Sequence, residues 1–273
     1  IESLKKTNLK DVTILRHKQR YEKYIAHSKW IEYELKDISL SIIEEWANSL
    51  IKDFPKLTTQ EWSNIRSILR GVFHLALVHE YVSENIIDKI KLTSRTLAKK
   101  RNNARKKVFL LHEEFIILEE CKKDFKDSGS FVPLAIQFNL FMGLRVGELL
   151  AIKWSDICDN KIHIPIPEKA QEVLDVIKEL SEKSEYIFYQ DGKLITTSML
   201  NHRLYKYQKI RGISPLKSSH ALRRTYASKL NYYGFNVKTI QSLLGHRNVE
   251  TTYKYIFDLE EKDSLLSKLN STF

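Results

Sequence analysis

The sequence is poor in the residues that break helices. Eight glycines and five prolines serve 273 residues, whereas average usage would put the two together at about 12% of a chain. That scarcity excludes a turn-rich β protein and favours long helices. Only two cysteines occur, Cys121 and Cys158, which excludes a disulfide scaffold and most zinc clusters and points to a reducing compartment. No apolar run approaches the roughly 18 residues that a membrane helix needs; the richest, Phe131 to Leu144, is broken by Pro133, Gln137 and Asn139. Nothing at the N-terminus has the pattern of a signal peptide. Acidic residues are outnumbered, 34 against 45 basic, leaving a net charge of +11. That balance suits a polyanionic partner, of which nucleic acid is the commonest. With 42% hydrophobic and 11% aromatic residues the chain has material for a core, which excludes a disordered chain.

Helical patterning organises the first 92 residues. Thr58-Thr59-Gln60-Glu61 reads as a capping box. Behind it, Ile65, Ile68, Leu69, Val72, Phe73, Ala76 and Leu77 form one apolar face at helical spacing. Residues 40–51 repeat the pattern after N-cap candidates Ser39 and Ser41. Helices over 10–27 and 83–90 would complete a four-helix unit. Residues 93–107 differ: Arg95, Lys99, Lys100, Arg101, Arg105, Lys106 and Lys107 stand there without one acidic residue or an apolar face. They read as a solvated linker whose charges can also track a phosphate backbone.

A second unit runs from 108 to 273. Helices are expected near 112–123, 131–142, 145–152, 170–180, 197–210, 218–233 and 236–244, with strands at 161–164 and 186–188, the latter ending at the turn Asp191-Gly192. The sequence as a whole therefore reads as mainly α with a small β component. Residues 256–273 carry Leu265, Leu266, Leu269 and Phe273, which suit a tail helix packed either on its own chain or on a neighbour.

Three stretches of the second unit carry reactive side chains. GLRVGELLAIKW (143–154) places Arg145 at a helix start with Glu148 one turn on. HALRRTYASKL (220–230) puts His220 and Arg223 on one helix face. LLGHRNVETTYKY (243–255) presents His246 after Gly245, with Tyr255 nine residues later. Singly, each has an everyday reading: an Arg145–Glu148 ion pair, a capping histidine, a loop histidine, one tyrosine among 13. Arg224 rivals Arg223, and Tyr253 rivals Tyr255.

In this order the stretches resemble the tyrosine recombinase (phage integrase) family, of mobile-element or conjugative-transposon type. Its signature is Arg…His-x-x-Arg…His…Tyr, here Arg145, His220-Ala-Leu-Arg223-Arg-Thr225, then Leu244-Gly245-His246, Thr251 and Tyr255. The pattern selects Arg223 and Tyr255 over their rivals. The resemblance spans nearly the whole chain. It implies a SAM-like helical core-binding domain over 1–92, a basic linker over 93–107, and an α+β catalytic domain over 108–273. It further implies that Tyr255 attacks phosphorus to form a 3′-phosphotyrosyl link. Arg145 and Arg223 would fork onto the phosphate, His220 would take the phenol proton, His246 would hydrogen-bond the phosphate, and Glu148 would orient a neighbour. A free tyrosine, with a pKa of about 10, is almost wholly protonated at neutral pH, so it needs such help.

The same resemblance implies double-stranded DNA with inverted-repeat core sites as partner, dimers and tetramers on that DNA, and a cytoplasmic, nucleoid-associated setting in bacteria. No cofactor and no metal is expected: the chain has no glycine-rich phosphate loop and no carboxylate trio for two-metal hydrolysis. The family's hairpin lysine is not found, because Pro165-Ile166-Pro167-Glu168 follows Ile164 at once; Lys161 is a poor substitute and the lysine is left unassigned. The chain opens on Ile1 and is expected to be a segment of a longer protein, with a further arm-binding domain common in the family. Two other classes share features of the pattern: an architectural DNA-binding protein with a dead site, and a type IB topoisomerase-like enzyme.

Overall fold

Helices form where apolar period and capping residues coincide. A computed structural model of the chain describes residues 11–90, 108–158, 164–181 and 184–259. The chain divides into two compact units, Ile1–Asn102 and Asn103–Phe273. The expected linker, with Arg95, Lys99, Lys100, Arg101, Arg105, Lys106 and Lys107, lies outside the described residues, as do Lys161 and the tail from 260 onward.

The first unit holds α1 (Asp11–Arg20), α2 (Leu40–Asp53) and α3 (Thr59–Val78). The Ser39 hydroxyl accepts the Ile42 amide and starts α2. The helix expected over 10–27 instead widens after Arg20 into a π-turn, Tyr21–Ile25, closed by the Ala26 amide on the Tyr21 carbonyl at 2.9 Å. The helix expected over 83–90 is a single 3-10 turn, Ile86–Lys89, begun by the Asn85 side chain. The capping box is half formed. Thr58 accepts the Glu61 amide at 3.2 Å, but the Glu61 carboxylate takes a two-pronged bond from Arg20 at 3.0 and 3.2 Å. Long-range charge thus displaces the local partner. Trp30, Trp46 and Trp62 line up through the core, with ring centroids 5.3 and 6.2 Å apart, among Ile25, Ile43, Ile65, Phe73 and Ile87.

The second unit is built around α5 (Phe131–Met142), almost all of which is buried. Against it pack α4 (Leu111–Ser128), α7 (Glu168–Leu180), α8 (Thr197–Ile210) and α9 (His220–Tyr232). The short helix α6 (Val146–Ala151) follows α5, and α10 (Val237–Leu244) and α11 (Val249–Tyr253) follow α9. The strand expected at 186–188 is displaced. Ile187 and Phe188 are fully buried in the core. The pairing falls one step on, β1 (Tyr189–Gln190) with β2 (Lys193–Leu194), antiparallel across the Asp191-Gly192 turn. Tyr186 makes only an isolated bridge to Lys153. The fold is therefore mainly α with a small β component. Among the described residues no helix is long and apolar enough to cross a membrane.

One feature of α4 depends on residues far along the chain. Four of its acidic residues bind basic side chains there: Glu113 with Lys217, Glu114 with Lys229, Glu120 with Arg211 and Asp124 with Arg203. Lys217 is 1% exposed, and its Nζ reaches both Glu113 oxygens at 2.8 and 2.9 Å. These bonds fix α9 and the segment before it. The Thr225 hydroxyl, which accepts the Phe109 amide at 2.8 Å, adds a further tie.

Candidate active site

Two glycines place the first and last parts of the cluster. Gly143 ends α5 with φ +64°, and a β-carbon there would collide with the Tyr226 ring. Its conformation turns the chain into Leu144-Arg145, and its carbonyl accepts Arg223 Nη1 at 2.7 Å. Gly245 ends α10 with φ +60°, a left-handed cap that glycine adopts without strain, and so presents His246.

Arg223 is the centre. It is 2% exposed. Besides Gly143, its Nη2 donates to the Leu244 carbonyl and lies 3.2 Å from His246 Nε2. Its buried Nε has no hydrogen-bond partner among the described residues. Glu148 Oε2 stands 3.8 Å from Nη1. Burial weakens the proton affinity of the Arg223 guanidinium, as does the charge of Arg145.

Arg145 is half exposed. Its Nη1 binds Glu148 Oε1 at 2.7 Å, its own amide donates to Glu148 Oε2 at 2.8 Å, and its Nη2 reaches the Gly245 carbonyl at 3.5 Å. Burial pulls the Glu148 carboxyl upward, but the bonds from Arg145 and the nearby arginine charges outweigh it and hold it below the usual range. Glu148 therefore remains an anion that orients Arg145.

His246 is 7% exposed. Burial, then the charges of Arg223 and Arg145, depress it to about 4. Its Nδ1 is 3.0 Å from Thr252 Oγ1. Arginine can only donate, so Nε2 is the acceptor and Nδ1 carries the proton. In this geometry the ring supports Arg223 and has no N–H to spare for a phosphate.

Tyr255 closes the cluster. Its hydroxyl is 3.2 Å from His220 Nε2, and its ring centroid is 5.4 Å from that of His220 and 4.9 Å from that of His246. The Ser228 hydroxyl holds the backbone on both sides, donating to the Tyr255 carbonyl at 3.1 Å and accepting the Phe257 amide at 2.9 Å. Burial, then the charges of Arg224 and Arg223, lower the His220 pKa, so the ring is neutral and able to accept the phenol proton. The rival Tyr253 is 61% exposed.

Arg145, Glu148, His220, Arg223, His246 and Tyr255 are thus brought together. Sequence reasoning missed Thr252 and Ser228. The family pattern drew the eye to Thr251, whereas the helical turn of α11 directs the next residue at His246.

Comparisons with known proteins agree with this architecture. Residues 113–262 match the phage integrase family. A tyrosine recombinase of Pseudothermotoga lettingae is 27% identical over 275 residues, covering 94% of this chain and 92% of that protein. Another, from Thermosipho africanus, is 23% identical and covers 93% and 92%. The Tn1549 transposon integrase in complex with transposon right end DNA shares the fold with a TM-score of 0.75 at 18% identity, covering 99% of this chain and 96% of that one. A lambda integrase dimer bound to a COC' core site gives 0.72 at 21%, covering 96% and 93%.

Proposed function

The chain belongs to the phage integrase family of tyrosine-type site-specific recombinases, and from that premise we propose that it cleaves and rejoins duplex DNA through a 3′-phosphotyrosyl intermediate formed on Tyr255, and so integrates or excises a mobile element. The observation that carries this reading is the 3.2 Å contact between the Tyr255 hydroxyl and His220 Nε2, with Arg223 and His246 beside the same ring.

The chemistry follows from these positions. His220 Nε2 takes the phenol proton as Tyr255 Oη bonds to phosphorus, and the bond from phosphorus to the 5′ oxygen breaks. The expelled oxygen takes up a proton from solvent, and a free 5′-hydroxyl results. Arg145 and Arg223 neutralise the non-bridging oxygens, where guanidinium forks are strongest. His246 and Glu148 hold the two arginines. The reverse attack by a 5′-hydroxyl rejoins a strand, and because the ester bond is conserved no nucleotide cofactor is required. The first unit, as a core-binding domain, and the basic segment containing Arg95, Lys99, Lys100, Arg101, Arg105, Lys106 and Lys107 would grip DNA by its phosphates. Inverted-repeat core sites and dimers or tetramers on DNA complete the proposal. The Tn1549 and lambda integrases, whose structures are of DNA complexes, support it by their shared fold.

The test is a suicide duplex, nicked beside a core sequence that the wild-type protein selects from a random library, incubated in EDTA. An SDS-resistant adduct that Tyr255→Phe abolishes supports the reading. Tight binding without an adduct points to an architectural protein. Relaxation of any supercoiled plasmid without paired sites points to a topoisomerase.

A further inference from the structure

Arg224 is the one arginine at the cluster that the mechanism above leaves unused. On α9 it follows His220 by four residues, so the two side chains are neighbours on one helix face. Its guanidinium carbon lies 5.5 Å from the centroid of the Tyr255 ring, nearer than that of Arg223 at 5.9 Å. Arg223 is engaged by two carbonyls and His246. Arg224 has no ion pair among the described residues, and its Nε is buried without a partner. A partly buried cation without a counter-ion is costly, and here its neighbours are the two rings between which a proton must move.

We infer that Arg224 is a positioning residue for the Tyr255–His220 pair: its charge disfavours a second proton on His220 and so keeps that ring free to accept the phenol proton. This rests on Tyr255 being the nucleophile. The ring of Tyr255 is faced from α9 by His220, Arg223 and Arg224, and from the loop after α10 by His246; Glu148 pairs with both Arg223 and Arg145. Among the described residues, Arg224 is the member of this set whose charge is not bound up in an ion pair or hydrogen bond. The lowering of the His220 pKa by the Arg224 charge, second only to burial, agrees.

The experiment measures single-turnover adduct formation at saturating suicide duplex for wild type, Arg224→Gln and Arg224→Lys, at pH 5.5 and pH 8, with the Kd for the same duplex. The expected result is an Arg224→Gln rate within about threefold of wild type at pH 8 and about fivefold further reduced at pH 5.5, since the lost charge lets His220 bind a proton sooner. Arg224→Lys, which keeps the charge, should follow wild type at both pH values. An equal loss at both pH values would mean a purely structural role and overturn the inference. Unchanged rates with a raised Kd would reassign Arg224 to a DNA phosphate. An adduct that persists in Tyr255→Phe would instead sink the reading beneath it, whatever Arg224 does.

Discussion

Arg223 Nη2 and His246 Nε2 lie 3.2 Å apart, and the chemistry of the pair allows the bond only one direction. The guanidinium donates, so the imidazole proton sits on Nδ1 and faces Thr252 Oγ1 at 3.0 Å. A buried threonine thereby sets the tautomer of a histidine that in turn steadies the central arginine. Thr252 is fully buried, so its replacement by valine leaves Nδ1–H unsatisfied at about 1–3 kcal/mol. Thr252→Val should slow adduct formation by about tenfold while leaving the Kd for DNA unchanged, and Thr252→Ser should restore the rate. A Thr252→Val enzyme as fast as wild type would remove the threonine from the account.

Stability should register the same histidine. The folded-state value of about 4 for His246 lies below its ordinary 6.5, so in acid the unfolded chain binds this proton first. Its stabilising contribution is complete above about pH 6.5 and is lost as pH falls toward 4. The Tm of wild type should therefore drop more steeply over that interval than the Tm of His246→Gln. Parallel curves would contradict the assignment.

Gly143 answers to two constraints at once, a φ of +64° and the Tyr226 ring against its α-carbon. Gly143→Ala should cost at least about 1–3 kcal/mol, measured by denaturant titration. It should also impair cleavage beyond the stability loss, because its carbonyl holds Arg223 and its turn places Arg145. A variant of wild-type stability would show that the chain can relax here.

The Lys217–Glu113 pair is buried at 104 residues' separation. Lys217→Met should destabilise by about 3–5 kcal/mol through the carboxylate it strands. The double variant Lys217→Met/Glu113→Leu should recover much of that. Recovery will be incomplete because Glu113 also caps the Leu110 amide at 2.9 Å. Equal losses in the single and double variants would mean that the pair's electrostatics are not what is felt.

The sequence disclosed what depends on local order. Period and caps located α2, α3, α5, α8 and α10 closely, since Ser39, Thr58 and Gly245 act on their own helices. The order of Arg145, His220, Arg223, His246 and Tyr255 named the cluster that the fold assembles. What depends on distant partners stayed hidden. Arg20 took the Glu61 carboxylate from its cap, and core burial of Ile187 and Phe188 moved the strand pairing on to Tyr189. The acidic residues of α4 found partners about a hundred residues away. One signal was present for the last: Glu113, Glu120 and Asp124 share the helix face of Ile117 and Cys121, and acidic residues in an apolar stripe imply buried ion pairs. Thr252 gave no signal of its own.

The identity of the nucleophile can be read directly from its linkage to DNA. Trypsin cuts after Arg247, Lys254 and Lys262, so Tyr253 and Tyr255 fall on different peptides, 248–254 and 255–262. The trapped adduct, digested with nuclease and trypsin, should yield a nucleotide phosphate carried by Tyr255 in the mass spectrum. The same mass on Tyr253, or on neither peptide, would contradict the account.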